Sequence, residues 1–380
     1  MKSIYLAFVF VFVLAACQSP QKKVQKQKAS ENIGYAKGFR IEKTQHYNKL
    51  VLLNPWNAYK PYASYYFLKD SVAPPSAGDE PVFYFTHSPQ VIALHSAAQA
   101  YALGVLGLKE KVKGITDPRF FYDPYYVERL QSGELIQTAN PTSINREKLL
   151  MLQPDLVILS GWSTISTDNQ QLIQMGTPPL FMMEWMEPEP LGRAEWIKVL
   201  GLAFNKEQQA DSIFRSIEKN YLELKNKYKN TTKKPSILHG EEYGGVWYVA
   251  GGKSFMAQIY ADAGTNYLWK ENDEPGSLKL DVEVVLEKAA QADFWFTTFG
   301  DNPQDIAYLN QQKYAVLKAT QTGNIYSNTK RVQKLGGNDF WETGNIRPDL
   351  ILHDIVKITH SNAFPNDSLF FYKKLSLKTP

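Results

Sequence analysis

One cysteine, Cys17, stands in 380 residues, so the chain can form no internal disulfide and no thiolate cluster around a metal. Stability has to come from packing, and a hydrophobic content of 44% over this length suffices for one large or two medium cores. Charge of one sign is also scarce. The formal excess is +4, too small for a surface that grips a phosphate backbone, and nucleic acid is set aside as a partner. The uncharged apolar run at the N-terminus, residues 4–16, is shorter than the roughly 20 residues a spanning helix needs. Catalytic and metal-binding motifs are missing as well. His46, His87, His95, His239, His353 and His360 fall into no H-x-x-x-H or H-E-x-x-H spacing, and no metal site is expected. There is no G-x-S-x-G elbow. Gly251-Gly252-Lys253-Ser254 matches the end of a phosphate loop, but Trp247 occupies the place of its first glycine, so it is read as a loop opening a helix. Acidic pairs such as Glu241-Glu242, and Glu184 with Glu187, have nothing that sets them across a reactive atom, and no residue is assigned a catalytic role.

What is present begins with Lys2 and the apolar run after it, the charged start and apolar stretch of a secretory signal. The run ends Leu14-Ala15-Ala16-Cys17, which resembles the bacterial lipobox, where small side chains admit the backbone to a peptidase and the thiol takes a diacylglyceryl group. Residues 1–16 are expected to be removed and Cys17 to be lipidated, two or three acyl chains anchoring stably where one does not. Loss of Lys2 takes the formal charge from +4 to +3. Residues 18–30 are rich in lysine and glutamine, as in a flexible tether, and the tethering segment is taken as 17–47. No acidic run resembling a surface-export signal follows the cysteine, so the expected location is the cell envelope, on the periplasmic side of a membrane.

Apolar segments at 50–53 and 62–68 read as strands of an N-terminal hairpin, joined by a Pro- and aromatic-rich connection containing Trp56, with a Pro-rich loop over 71–81. From Val82 strands and helices alternate. Strands are predicted at 91–94, 156–159 and 179–183, with helices at 96–106 and 145–152; short, fully apolar strands between helices imply a parallel sheet covered on both faces. Ala210, Ile213, Phe214, Ile217, Tyr221, Leu224 and Tyr228 share one helical face, predicting a long helix over 205–228 with Asn205 as its cap. The polar stretch ending at Pro235 then breaks the chain. Alternation resumes with strands at 236–239, 246–249 and 294–298 and helices at 254–263, 281–290 and 348–359. A helix with Glu147 leads to Asp155 and an apolar strand, and a helix with Glu283 leads to Asp293 and another, as in a remnant internal repeat. The resulting organisation is an α/β fold with an N-terminal lobe over 48–204, a connecting helix and linker over 205–234, and a C-terminal lobe and tail over 235–380.

The sequence has 8 Trp, 22 Tyr and 20 Phe, and several of these rings fall in loops just after predicted strands, where open α/β sheets bind ligands. Trp162 follows the strand at 156–159, Trp185 the strand at 179–183, and Tyr243 and Trp247 the strand at 236–239. The loop from Asp117 adds Arg119 and Phe120, and Arg331 precedes a Gly336-Gly337 segment that carries Trp341. Any one of these rings is more often core than contact. Together, with two arginines, they predict a cleft for a large ligand with flat faces and some negative charge.

These segments resemble the periplasmic binding proteins that deliver iron chelates, haem or vitamin B12 to ABC importers. The resemblance spans about residues 48–375 and rests on Pro89-Gln90-Val91-Ile92-Ala93-Leu94, on Gln153-Pro154-Asp155-Leu156-Val157-Ile158, and on the stretch from Gly336 to Leu352, which looks most like members from Bacteroidetes-type bacteria. It implies two Rossmann-like lobes joined by a long connecting helix, with the ligand in the cleft between the lobes and only modest closure. It also implies that Glu147 and Glu283 dock onto arginines of an ABC permease driven by a cytoplasmic ATPase. The protein would act as a monomer without a cofactor, carrying an iron chelate or, as an alternative, a corrinoid. An enzyme on the same two-lobed scaffold is the rival from another class.

Overall fold

The computed structural model describes residues 33–71, 79–360 and 362–377. Cys17, the signal segment and the tether core lie outside the described residues, as does most of the Pro-rich loop. No helix among the described residues is long and apolar enough to cross a membrane.

Two parallel sheets form the body. The first has the spatial order Ile136–Gln137, Val112–Ile115, Ile92–Leu94, Leu156–Ser160, Pro179–Met182, every pairing parallel. The second runs Asn266–Tyr267, Ser236–His239, Phe294–Thr297, Ile325–Ser327, with Lys373–Lys374 added antiparallel at one edge. Their central strands are apolar because helices cover both faces. Leu156 to Ile158, and Trp295 and Phe296, are buried.

The internal repeat is visible as geometry. Asn145 and Asp281 stand at the N-caps of helices Arg146–Leu152 and Val282–Ala289, so Glu147 and Glu283 are each the second residue of their helix. Each helix feeds a strand whose first turn is tied by an aspartate: Asp155 Oδ2 accepts from the backbone N–H of Gln90 (2.7 Å) and Val91 (2.9 Å), and Asp293 Oδ2 from the N–H and Oγ–H of Ser236 (both 2.8 Å). In both lobes the aspartate thus fixes the start of the neighbouring parallel strand.

Helix Glu207–Tyr228 packs against helix Ile197–Ala203 of the first lobe and Pro348–Thr359 of the second. It buries Ala210, Phe214, Ile217 and Tyr221 of the predicted face, and Tyr221 donates to Asp262 Oδ2 at 2.8 Å. Asn205 is not its cap. With φ of 56° it takes the left-handed turn that ends the preceding helix, and Lys206 N–H bonds to Gly201 O at 2.7 Å.

Residues 33–47, assigned to the tether in the sequence, are instead part of the folded body. Strand Phe39–Lys43 opens a four-stranded sheet with Tyr47–Asn54, Lys60–Leu68 and Val82–Phe85, so the predicted hairpin is its middle. Stacked pairs Tyr65–Phe83, Tyr66–Tyr84 and Phe67–Phe85, with centroids 5.1 to 5.4 Å apart, hold its parallel edge. Buried carboxylates fasten its entry. Glu195 accepts from the N–H groups of Gly34, Tyr35 and Ala36, and Glu187 from those of Lys37 and Gly38. A Cβ at Gly38 would stand 2.6 Å from the Trp196 ring, so the chain passes there only as glycine.

Candidate ligand-binding cleft

The cleft opens where the parallel strands end. His95 follows Ile92–Leu94, Thr116 follows Val112–Ile115, and Ser160 closes Leu156–Ser160. Across from them Thr298 follows Phe294–Thr297, and Thr329 lies just past Ile325–Ser327. Open α/β sheets leave their ligand space at this end, and these residues line one cavity of about 590 Å³. Arg119 and Phe120 complete its first wall, and Val332, Gly337, Asn338, Trp341 and Glu342 its second. The volume lies within the range of small-molecule and cofactor sites.

One large ring lines the cavity from each lobe: Phe120, 50% exposed, and Trp341, 56% exposed. Exposed rings lining an opening suit a ligand with a planar face. Charge in the cavity is largely compensated. Asp117 accepts from Arg119 N (2.9 Å), Nε (3.0 Å) and Nη2 (2.6 Å), and the guanidinium holds its carboxyl below the usual carboxylate range. Burial pushes the His95 ring down to about 4, so it is neutral at pH 7, with Nε2 bonded to Thr138 Oγ1 at 2.9 Å. Among the described residues, no group of three or more His, Cys, Asp or Glu side chains could hold a metal ion.

Glu342 crosses between the lobes. It closes the short helix Asp339–Glu342, and its Oε2 accepts from the N–H of Tyr122 at 2.8 Å and of Asp123 at 3.4 Å. Burial, together with the charges of Asp123 and Asp339, pushes its carboxyl up to about 7. Nearby, Asn345 donates to Ala98 O (3.3 Å) and Glu184 Oε1 (3.1 Å), and Arg347 to Tyr101 Oη (3.4 Å). A Cβ at Gly337 would stand 2.0 Å from Phe121 O. Residues 337–347 therefore bind the two lobes to each other beside the ligand space.

Of the residues singled out in the sequence, Arg119, Phe120 and Trp341 meet in this cavity. Trp162 lines a side pocket of about 370 Å³ that shares His95, Thr116 and Ser160 with it. Trp185 is half-buried between Trp56 and Trp162. Tyr243 is 80% exposed at the tip of a hairpin turned by Gly244 and Gly245, outside the cavity lining. Trp247, expected in the cleft, is instead fully buried, tilted against Trp295 (5.4 Å) and edge-on to Tyr314 (5.9 Å), and cannot touch a ligand. Arg331 is also displaced from the expected wall. Its Nε bonds to Asp339 Oδ2 at 2.5 Å and its guanidinium lies over Tyr122 and Phe370, facing a second cavity of about 580 Å³. Glu147 and Glu283 are exposed. A helix that feeds a parallel strand runs against it, so both helix starts lie toward the face where the cleft opens. His95, Thr116, Ser160, Thr298 and Thr329 were not predicted, although the rule that ligand sites follow strand ends applies to each of them.

The chain belongs to the periplasmic binding protein family, whose model matches residues 92–332, more than half its length. An uncharacterized lipoprotein of Methanocaldococcus jannaschii is 26% identical over 262 residues, covering 66% of this chain and 58% of that protein. A second uncharacterized lipoprotein of the same organism is 24% identical over 269 residues, covering 66% of this chain and 64% of that one. The chain thus spans under two thirds of the length of both. Among solved structures, a periplasmic heme binding protein from Pseudomonas aeruginosa has a TM-score of 0.58 at 17% identity, covering 77% of this chain and all of that one. The periplasmic vitamin B12 binding protein of Vibrio cholerae has a TM-score of 0.51 at 17% identity, covering 72% and 97%. At these identities the shared property is the two-lobed α/β fold.

Proposed function

We propose that the protein is the substrate-binding lipoprotein of an ABC importer. It captures an iron chelate between its lobes and hands it to a permease driven by a cytoplasmic ATPase, breaking no bond. Cys17 carries the lipid that keeps it on the periplasmic side of a membrane. The observation that carries this reading is the strand-end cavity flanked by Phe120 and Trp341, one ring from each lobe. A chelated metal needs a shaped wall rather than direct ligands, and this cavity supplies one. Glu147 and Glu283, at matching second positions of the two repeated helices, are the proposed contacts to permease arginines.

Charge narrows the ligand. Arg331 is held by Asp339 away from the cavity, and Arg119 arrives with Asp117 as its counter-charge. A polyanionic siderophore would find little uncompensated positive charge there, which favours a flat, weakly charged chelate of the haem type. The same observation supports a corrinoid as the second reading. The heme and vitamin B12 named for the two structural neighbours agree with this class. Equilibrium titration with haem, cobalamin and a ferric siderophore tests the reading: tightest binding to a macrocycle is expected, and no measurable affinity for any of the three overturns it.

A further inference from the structure

The N-terminal sheet of residues 39–85 lies before the family-matched region, yet its hairpin tip reaches the rim of the ligand space. Asn54 Nδ2 donates to Ser163 O at 3.2 Å, tying the tip to the loop that follows strand Leu156–Ser160. The turn itself is costly, with Ala58 and Tyr59 at φ of 48° and 56°, a left-handed conformation that non-glycine residues rarely adopt. It delivers Trp56 against Trp185, with centroids 5.6 Å apart, and Trp185 in turn packs on Trp162 at 4.9 Å. The outer ring of this row, Trp162, remains 60% exposed and lines the side pocket that shares His95, Thr116 and Ser160 with the main cavity.

Building on the proposed ligand capture, we propose that the side pocket is a second subsite for the same ligand. Trp162 stacks there on a planar, weakly charged group, and Trp56 and Trp185 act as positioning residues that fix the indole. Three features point this way. The pocket shares His95, Thr116 and Ser160 with the cleft, which places its occupant beside the cleft's ligand. An indole backed by a second ring is held at little entropic cost, which is what a stacking contact needs. Asp168, the acidic residue in the pocket, has Arg146 within 3.9 Å and Ile144 N–H as partners, leaving no strong uncompensated field to demand a charged ligand group. The ligand therefore carries a planar portion extending beyond the volume between Phe120 and Trp341.

The test titrates haem, cobalamin and a ferric catecholate siderophore separately into the full-length protein and into Trp162→Ala, Trp162→Phe, Trp56→Ala and Trp56→Phe. Thermal melting checks that each variant is folded. For the probe that binds, Trp162→Ala is expected to weaken affinity about three- to tenfold, with Trp162→Phe restoring most of it. Trp56→Ala should give a smaller loss of the same kind, with Trp56→Phe close to wild type, and ligand quenching of indole fluorescence should fall in Trp162→Phe. Wild-type binding that Trp162→Ala leaves within twofold overturns the subsite while leaving ligand capture intact. If the wild type binds none of the probes, the parent reading falls and this one with it.

Discussion

In the N-terminal lobe the cleft wall is made of strand ends, His95, Thr116 and Ser160, with Arg119 and Phe120 beside them; in the C-terminal lobe the strand ends Thr298 and Thr329 sit beside residues 336–342. Beneath these walls the two lobes repeat one unit, a helix with glutamate at its second position leading to an aspartate that fixes a neighbouring strand. The repeated part sets where the cleft is and which face it opens on. The unrepeated part sets its chemistry, and on the C-terminal side also joins the lobes through Glu342.

The largest expected effect tests whether the repeat acts symmetrically. Replacing Glu147 and Glu283 together with alanine should reduce ligand uptake to background in cells while leaving ligand affinity within twofold, since truncating one side of a desolvated charge pair costs roughly 2–5 kcal/mol. If uptake survives the double replacement, the docking assignment is wrong; if one single variant does all the damage, the lobes dock unequally.

Glu342 should make the C-terminal wall sensitive to pH near neutrality. Its folded value of about 7 stands above the 4.5 of a free glutamate, so the folded protein favours the protonated acid. The stability this gives is fully present below the unfolded value and is lost as pH rises through about 7. Glu342→Gln keeps an acceptor for Tyr122 N–H without the charge. It should stabilise the protein at pH 8 by a few kcal/mol relative to wild type, as read by urea melts, and the gain should vanish near pH 4. An unchanged difference across that range would contradict the burial of an ionisable group at the lobe junction.

A smaller effect separates the two aspartates. Asp293 serves Ser236 and also pairs with Lys318 at 2.7 Å, and these partners hold its carboxyl below its usual range against the opposing effect of burial. A lowered value gives stability that is present above the unfolded value and lost as pH falls through the folded one. Asp293→Ala should cost about 1–3 kcal/mol at pH 7, and the cost should shrink in acid. Asp155→Ala, losing two backbone donors and no lysine, should cost less. Smallest in free energy, Trp341→Ala and Phe120→Ala should each weaken ligand binding about three- to tenfold without lowering the melting temperature, because both rings are exposed.

Much of the scaffold was legible. The fully apolar segment at 156–159 and the segment at 236–239 are strands, 348–359 is a helix, and Glu147 and Glu283 do mark repeated helices. Local pattern sufficed there because each element buries a face its own residues define. Strand Phe39–Lys43 was hidden because its charged, short sequence becomes a strand only by pairing with Tyr47–Asn54, and its approach is held by carboxylates some 150 residues away. Trp247 shows the limit for aromatics. A tryptophan beside a glycine turn can point into either face of a hairpin, and the sheet behind this one takes it inward. Arg331 was lost to Asp339, eight residues on, an intramolecular partner the spacing did not disclose. The hydroxyls of Thr116, Ser160, Thr298 and Thr329 carry no compositional signal, and only the position of strand ends identifies them.

Ligand is expected to occupy the space between the strand ends of the two lobes. Hydrogen–deuterium exchange on the full-length protein, with and without saturating amounts of whichever chelate binds, tests it most directly. Protection is expected in residues 95–98, 116–120 and 337–342 together, the first two from the N-terminal wall and the third from the C-terminal wall. Protection confined to a single lobe, or to residues outside the cleft, would contradict it.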